Sequence, residues 1–186
     1  PDGTRHDITR ASTPFTLMRT VPAGSLMTVT VERDGVTQDL SFDSIAVSAT
    51  EPGSKLGIYL TVDPSLPVDI SFNLEGVGGP SAGMMFSLGI IDRLTPGDMT
   101  GGNAIAGTGT MSFDGQVGAI GGIQQKLWGA HDDGAQWFLA PAENCSEVVG
   151  HVPDGLNVVK VSNLSEAATA VATIAEGNGS ALPTCQ

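Results

Sequence analysis

The sequence predicts an α+β fold, and three observations carry the prediction. Val68, Ile70, Phe72 and Leu74 alternate with polar residues, the period-two pattern of a strand with one buried face. Met84, Leu88 and Ile91 recur instead at helical spacing. Asp34-Gly35 and Asp114-Gly115 each divide two β-prone runs, a hairpin signal. Helices and strands mixed with hairpins point to α+β more than to a regular doubly wound sheet.

Taken along the chain, Asp7–Val21 reads as a helix, and Ser25–Val31 and Gln38–Phe42 as strands on either side of Asp34-Gly35. Gly57–Thr61 and Pro67–Leu74 read as strands, and Ser81–Leu94 as a helix that Pro96-Gly97 ends. Ala104–Phe113 and Gln116–Ile120 pair through Asp114-Gly115. A helix over 122–132, strands Trp137–Ala140 and Asn157–Val161, and a helix from Leu164 to Ala175 follow; Asn163 and Glu166 suit a capping box at its start. The tail, Gly177–Gln186, reads as flexible.

Composition narrows the function. The 186 residues suit one domain of roughly 130–140 residues plus a fragment. A formal net charge of −12 with only eight Lys and Arg leaves no basic cluster, so nucleic acid and anionic lipid are repelled rather than bound. Cys145 and Cys185 lie far apart and the histidines are isolated, so zinc spacing is not met and no cofactor is implied. No apolar run is long enough to span a bilayer, and no signal peptide is present.

The chemistry gathers at Gly78-Gly79-Pro80-Ser81-Ala82-Gly83. Ser81 falls where a strand ends, a glycine-rich turn reverses the chain and a helix begins. The unpaired N–H groups of a first helical turn favour developing negative charge, so an oxyanion formed beside Ser81 would find donors. A serine in that place is more often only a helix cap, and Gly-Pro only a turn. An activating base decides between the two.

Histidine is the usual base, and the chain has His6, His131 and His151. Gly79-Pro80-Ser81-Ala82-Gly83 fits G-x-S-x-G, with Asp132 and His151 in the order of an α/β-hydrolase esterase. That spacing is common by chance, and both histidines lie in surroundings that read as solvated loops or helix ends. Lysine serves better. Lys55 lies in a polar loop and Lys160 alternates with valines on a strand, pointing to solvent. Lys126 follows Gly121-Gly122 on a helix whose apolar stripe is Ile123, Leu127 and Ala130, and it borders that stripe. A lysine against apolar surface is partly desolvated, which disfavours the ammonium, and a neutral amine accepts a serine proton. A snorkelling surface lysine is the plain alternative.

The run from Gly79 to Pro141 resembles the proteolytic domain of the Lon family. The resemblance is carried by Gly79-Pro80-Ser81-Ala82-Gly83, Thr108-Gly109, Asp114-Gly115-Gln116-Val117, Ile120-Gly121-Gly122-Ile123, Lys126-Leu127, Ala130 and Phe138-Leu139-Ala140-Pro141. It implies that Ser81 is the nucleophile and Lys126 the general base, with Thr108 supporting the lysine and Gly79, Pro80 and Ala82 shaping the oxyanion site. It extends over most of residues 67–175. No G-x-x-x-x-G-K-[ST] occurs, so the chain carries no P-loop, and Gly78 stands where bacterial Lon commonly has an acidic residue. Leu94-Thr95-Pro96-Gly97-Asp98 and Pro141-Ala142-Glu143-Asn144-Cys145 bring it nearer the ATP-independent, PDZ-linked Lon-like proteins of actinobacteria.

On that resemblance, residues 1–50 are the C-terminal part of a PDZ-like domain, a β-hairpin plus helix, with Pro22-Ala23-Gly24 and Glu32-Arg33-Asp34-Gly35 carrying the likeness. Residues 51–176 are the proteolytic domain and 177–186 a tail. A first residue of Pro fits a chain that begins inside a larger protein. The resemblance further implies a polypeptide substrate, a homo-oligomeric ring, commonly a hexamer, and an N-terminal membrane anchor outside this chain. In such an extracytoplasmic setting Cys145 and Cys185 are either a disulfide that pins the C-terminus or two unrelated thiols. The leading expectation is an ATP-independent serine endopeptidase with a Ser-Lys dyad. The competing one is a catalytically silent protease fold that binds through its PDZ-like region.

Overall fold

The computed structural model describes residues 3–48, 52–61, 68–73 and 79–186. The chain divides into two compact units, residues 1–72 and 73–186.

The first unit is built on a hairpin. β1 (Leu26–Arg33) pairs antiparallel with β2 (Val36–Asp43), Val29 opposite Leu40 and Arg33 opposite Val36. Asp34 (φ 53°) and Gly35 (φ 75°) both lie in the left-handed region, as a two-residue turn matched to strand twist requires. The strands run right up to that turn, past the predicted ends. At the hairpin's base, buried Ser44 donates its hydroxyl to the Pro22 carbonyl and accepts from the Ser25 N–H. The helix predicted over Asp7–Val21 is only α1 (Thr13–Met18). Pro14 explains the late start, because it has no N–H to continue a helix from upstream and is tolerated only in a first turn, where it stands here.

Short strands β3 (Ile45–Ala46) and β4 (Ser54–Lys55) pair antiparallel. Gly53 (φ +87°) enters β4 against the backbone of Arg19, whose carbonyl would lie 2.7 Å from an added Cβ. The strands expected at Gly57–Thr61 and Pro67–Leu74 do not form in residues 57–61 or 68–73, and Pro67 and Leu74 lie outside the described residues. Alternation supplies a face, but a strand also needs a partner ladder, and Ile58, Tyr59, Val68, Ile70 and Phe72 remain exposed.

The second unit is organised around a parallel sheet. β5 (Ile105–Gly107), β8 (Trp137–Pro141) and β9 (Asn157–Val161) lie in the order β5-β8-β9, with Ile105 level with Trp137 and Trp137 level with Asn157. β8 is covered on both faces, which explains its unbroken apolar run. On one face, Leu139, Val159 and Val161 pack with Met84 and Leu88 of α2 (Gly83–Leu94) and Ala167, Ala170, Val171 and Ile174 of α5 (Leu164–Ala175). On the other, Phe138, Ala140 and Val158 pack with Ile123, Leu127 and Ala130 of α3 (Ile123–Asp132) and Val148 of α4 (Cys145–Val148). Each fully buried Leu, Ile, Phe or Met contributes about 1.5–3 kcal/mol.

The hairpin expected between Ala104–Phe113 and Gln116–Ile120 narrows to β6 (Thr110–Met111) with β7 (Val117–Gly118). Thr108-Gly109 interrupts the upstream run, and Ile105–Gly107 joins the parallel sheet instead. At the head of α5 the Asn163 side chain accepts from the Glu166 N–H at 2.9 Å, while Glu166 Oε2 accepts from the N–H of Ser162, one residue before the cap.

The tail is docked, against the expectation of flexibility. Gly179 sits against the Trp137 ring, where an added Cβ would come within 2.4 Å, and the Lys160 N–H donates to the Pro183 carbonyl. Cys185 is bonded to Cys145 across 40 residues, so the two cysteines are a disulfide. Closing a loop of that length restricts the unfolded chain by about 4 kcal/mol in the chain-entropy account.

Candidate active site

The two glycines and the proline of the Gly-Pro-Ser-Ala-Gly run each have a local reason to be there. Gly79 takes φ 84° and ψ 169°, a conformation open essentially only to glycine, and turns the chain into a 3-10 turn over Pro80–Ala82 that α2 continues. Pro80 stands in the first turn, where its missing N–H costs nothing. Gly83 lets the helix press on β6, because an added Cβ would lie 3.1 Å from both Cβ and N of Met111.

Ser81 is partly buried, and its backbone carbonyl takes two donors: the Gly109 N–H at 2.8 Å and the Thr108 hydroxyl at 2.9 Å. The Met84 N–H returns a bond to the Gly109 carbonyl at 3.1 Å. Gly109 is itself a close-approach glycine, since its added Cβ would meet Val117 Cγ1 at 2.6 Å. Thr108 is buried, and its N–H extends the ladder to the Leu139 carbonyl. The head of α2 is thus tied to the residues just past β5 by three hydrogen bonds, two of them on the Ser81 carbonyl, and α2 carries no acidic residue in its first turn.

Lys126 lies in the first turn and a half of α3 and is partly buried beside Ile123 and Leu127, the stripe read from the sequence. Its N–H bonds the Gly122 carbonyl at 3.2 Å. The head of α3 meets the residues just past β8, where the Ile120 N–H donates to Asn144 Oδ1 at 3.0 Å. The head of α2 meets the residues just past β5. Both helices therefore start at the C-terminal end of the parallel strands, from opposite faces, and that end is where open parallel sheets place ligands. Among the described residues no hydrogen bond joins Ser81 Oγ to Lys126 Nζ.

The other candidates lie elsewhere. Lys55 and Lys160 are exposed on β4 and β9. His131 Nδ1 pairs with Asp132 at 3.1 Å and its ring meets Trp128 edge-on, while His151 Nδ1 is bonded to the Val149 carbonyl. Neither contacts Ser81, so the esterase arrangement is not assembled. A shallow depression on α3, lined by Gln124, Gln125, Trp128, Gly129, Asp132 and His151, includes neither Ser81 nor Lys126. Among the described residues no cluster of His, Cys, Asp and Glu could hold a metal ion, and no helix is long and apolar enough to cross a membrane. Sequence reading passed over Asn144, which is buried beneath the head of α3. Its one trace is its place in Pro141-Ala142-Glu143-Asn144-Cys145, where a polar residue comes three positions after the end of a buried strand.

The family model of the Lon protease (S16) C-terminal proteolytic domain matches residues 75–173. The chain is 35% identical over 91 residues to a Lon protease of Buchnera aphidicola subsp. Schizaphis graminum, covering 47% of this chain and 12% of that protein. It is 33% identical over 103 residues to Lon protease 2 of Bacillus subtilis, covering 53% and 18%. With a Lon protease of Brucella suis biovar 1 it shares 32% over 155 residues, covering 78% and 18%. The chain thus spans less than a fifth of the length of these relatives. Its glycine-led serine turn, its lysine helix and the strands that join them lie inside the matched region, and the chain belongs to the Lon protease family through its C-terminal proteolytic domain.

Proposed function

We propose that this chain is a serine endopeptidase in which Ser81 is the nucleophile and Lys126 the general base. The observation that carries the reading is the placement of Ser81 at the head of a helical run, its carbonyl held by Thr108 and Gly109, at the sheet end where the lysine helix also starts. Ser81 Oγ attacks the scissile carbonyl and its proton passes to Lys126 Nζ. The carbon–nitrogen bond breaks as the ammonium returns that proton to the leaving amine, and water then hydrolyses the acyl-enzyme. The N–H groups of Ser81 and Ala82, set by the Gly79-Pro80 turn, receive the oxyanion.

The runs Leu94-Thr95-Pro96-Gly97-Asp98 and Pro141-Ala142-Glu143-Asn144-Cys145, which resemble the ATP-independent Lon-like proteins, support cleavage without nucleotide hydrolysis, of unfolded segments, exposed loops or the protein's own linker. The hairpin with α1 supports a PDZ-like role for residues 1–50 in presenting such segments. The disulfide suits an extracytoplasmic setting, with an anchor and a ring of identical subunits in the full-length protein.

The test is substitution. Ser81→Ala and Lys126→Ala each lower cleavage of an unfolded polypeptide by about 10⁴-fold or more while the fold survives. A base of this kind accepts a proton only as the free amine, so the wild-type rate is expected to fall toward acid pH. Full activity in Lys126→Ala, or a flat pH profile, removes the lysine. The silent-scaffold reading draws on the missing Ser81–Lys126 hydrogen bond, and a folded wild-type protein that an acylating serine reagent leaves unlabelled at Ser81 would establish it.

A further inference from the structure

Resting on the Ser81–Lys126 reading, we propose that Asn144 is a positioning residue for the lysine: it holds Ile120, and through Ile120 the turn from which α3 starts. Asn144 is 1% exposed. Its Oδ1 accepts from the Ile120 N–H at 3.0 Å, and its Nδ2 donates to the Ile120 carbonyl at 3.0 Å and to Glu147 Oε1 at 2.7 Å. One amide side chain thus does for Ile120 what a neighbouring strand would do, meeting both backbone groups with a matched donor and acceptor. Two further bonds bracket the turn. Glu143 Oε2 accepts from the Ala119 N–H at 3.1 Å, and Gln124 of α3 donates to the Glu147 carbonyl at 3.2 Å.

The Ile120 side chain packs against the Ile123 and Leu127 core, but the two residues that follow it add little packing. Between Ile120 and the helix stand Gly121 and Gly122, the most permissive backbone available. Nothing lies within 4 Å of where a Cβ of Gly121 would be, and only Gln125 Oε1, at 3.3 Å, lies near that of Gly122 (φ +73°). The Gly122 carbonyl then receives the Lys126 N–H. Buried Ile123 and Leu127 fix which face α3 turns inward, but apolar contact is non-directional and tolerates sliding along the axis. The directional bonds of Asn144 set where the helix begins, and so how far along it Lys126 is carried. A proton acceptor displaced by about 1 Å costs on the order of 10²-fold in rate.

The experiment follows two rates in the full chain, cleavage of an unfolded polypeptide and labelling of Ser81 by a fluorophosphonate. Asn144→Ala lowers kcat and the labelling rate by about 10–100-fold with KM changed less than about 2-fold. In a Lys126→Ala background the same substitution changes residual labelling by less than about 2-fold, because the positioned group is gone. Equal slowing in both backgrounds overturns the inference, since Asn144 would then act on the fold at large. Wild-type labelling in Lys126→Ala overturns the dyad and this inference with it. An inactive Lys126→Ala protein beside a folded, fully active Asn144→Ala protein overturns this inference alone.

Should Asn144→Ala fail to fold, Asn144→Asp decides. Its carboxylate keeps the acceptor for Ile120 N–H but faces the Ile120 carbonyl and Glu147 without a donor. Burial and the neighbouring carboxylate favour its protonated form, which restores a donor. The rate of Asn144→Asp relative to wild type therefore rises as pH falls, and a ratio that stays flat overturns the proposal.

Discussion

The heads of α2 and α3 look alike in sequence and are held differently in space. Each follows glycine, each lies at the C-terminal end of the parallel strands, and each carries one member of the proposed pair. At α2 the hold falls on the proposed nucleophile itself, because Thr108 and Gly109 both donate to the carbonyl of Ser81. At α3 it falls six residues upstream of the lysine, where Asn144 grips Ile120. A serine reaches one bond beyond Cβ, so its backbone must be placed closely. A lysine reaches through a flexible four-carbon stem, so where its helix begins sets the range its amine can cover.

The largest expected effect tests whether the α3 hold is independent of the disulfide next to it. Cys145 directly follows Asn144, yet none of the hydrogen bonds to Ala119 or Ile120 involves sulfur. Replacing both cysteines by serine is expected to lower stability by about 2–4 kcal/mol, read from the denaturation midpoint. At 20 °C or so, with the protein still folded, Ser81 labelling should stay within about 2-fold of wild type. A collapse of labelling in folded protein would mean that the covalent bond, and not Asn144, sets the helix.

Gly109→Ala is the corresponding strike at α2, and its effect is smaller on stability but larger on chemistry. The new methyl would lie 2.6 Å from Val117 Cγ1 and 3.4 Å from Met84 Cβ, so the backbone must shift. Overpacking of this kind costs about 1–3 kcal/mol, offset in part by a less flexible unfolded chain. The shift draws the Gly109 N–H away from the Ser81 carbonyl, so labelling should fall by more than the stability loss accounts for. Unchanged labelling with reduced stability would show that Gly109 serves packing alone.

The same contrast explains what the sequence made legible. The turn at Ser81 could be read because its constraints are local: positive φ selects Gly79, a first turn admits Pro80, and periodicity marks the helix behind them. The apolar stripe beside Lys126 was equally plain, since Ile123, Leu127 and Ala130 bury where the 3.6-residue period places them. Asn144 was not legible, because nothing in a single polar residue states that its partner is a backbone 24 positions earlier. The docked tail escaped for the same reason, its anchors being Trp137, Lys160 and Cys145. The strands read at 57–61 and 68–73 show the converse error, in which a correct local alternation did not become a strand.

Thr108→Val gives the smallest and sharpest test. Valine keeps the shape of threonine and removes only the hydroxyl that donates to the Ser81 carbonyl, while the Gly109 bond to that carbonyl survives. The loss at this buried site should cost about 0.5–1.5 kcal/mol, because the carbonyl still has a partner and no donor is stranded. If the hydroxyl serves chiefly to hold the serine, kcat should fall by less than about 10-fold with KM unchanged, and the pH profile should keep its shape. If it instead acts on Lys126, as the family resemblance implied, the acid limb of that profile should move. A shifted limb would join the two helix heads through one threonine and end the claim that they are held separately.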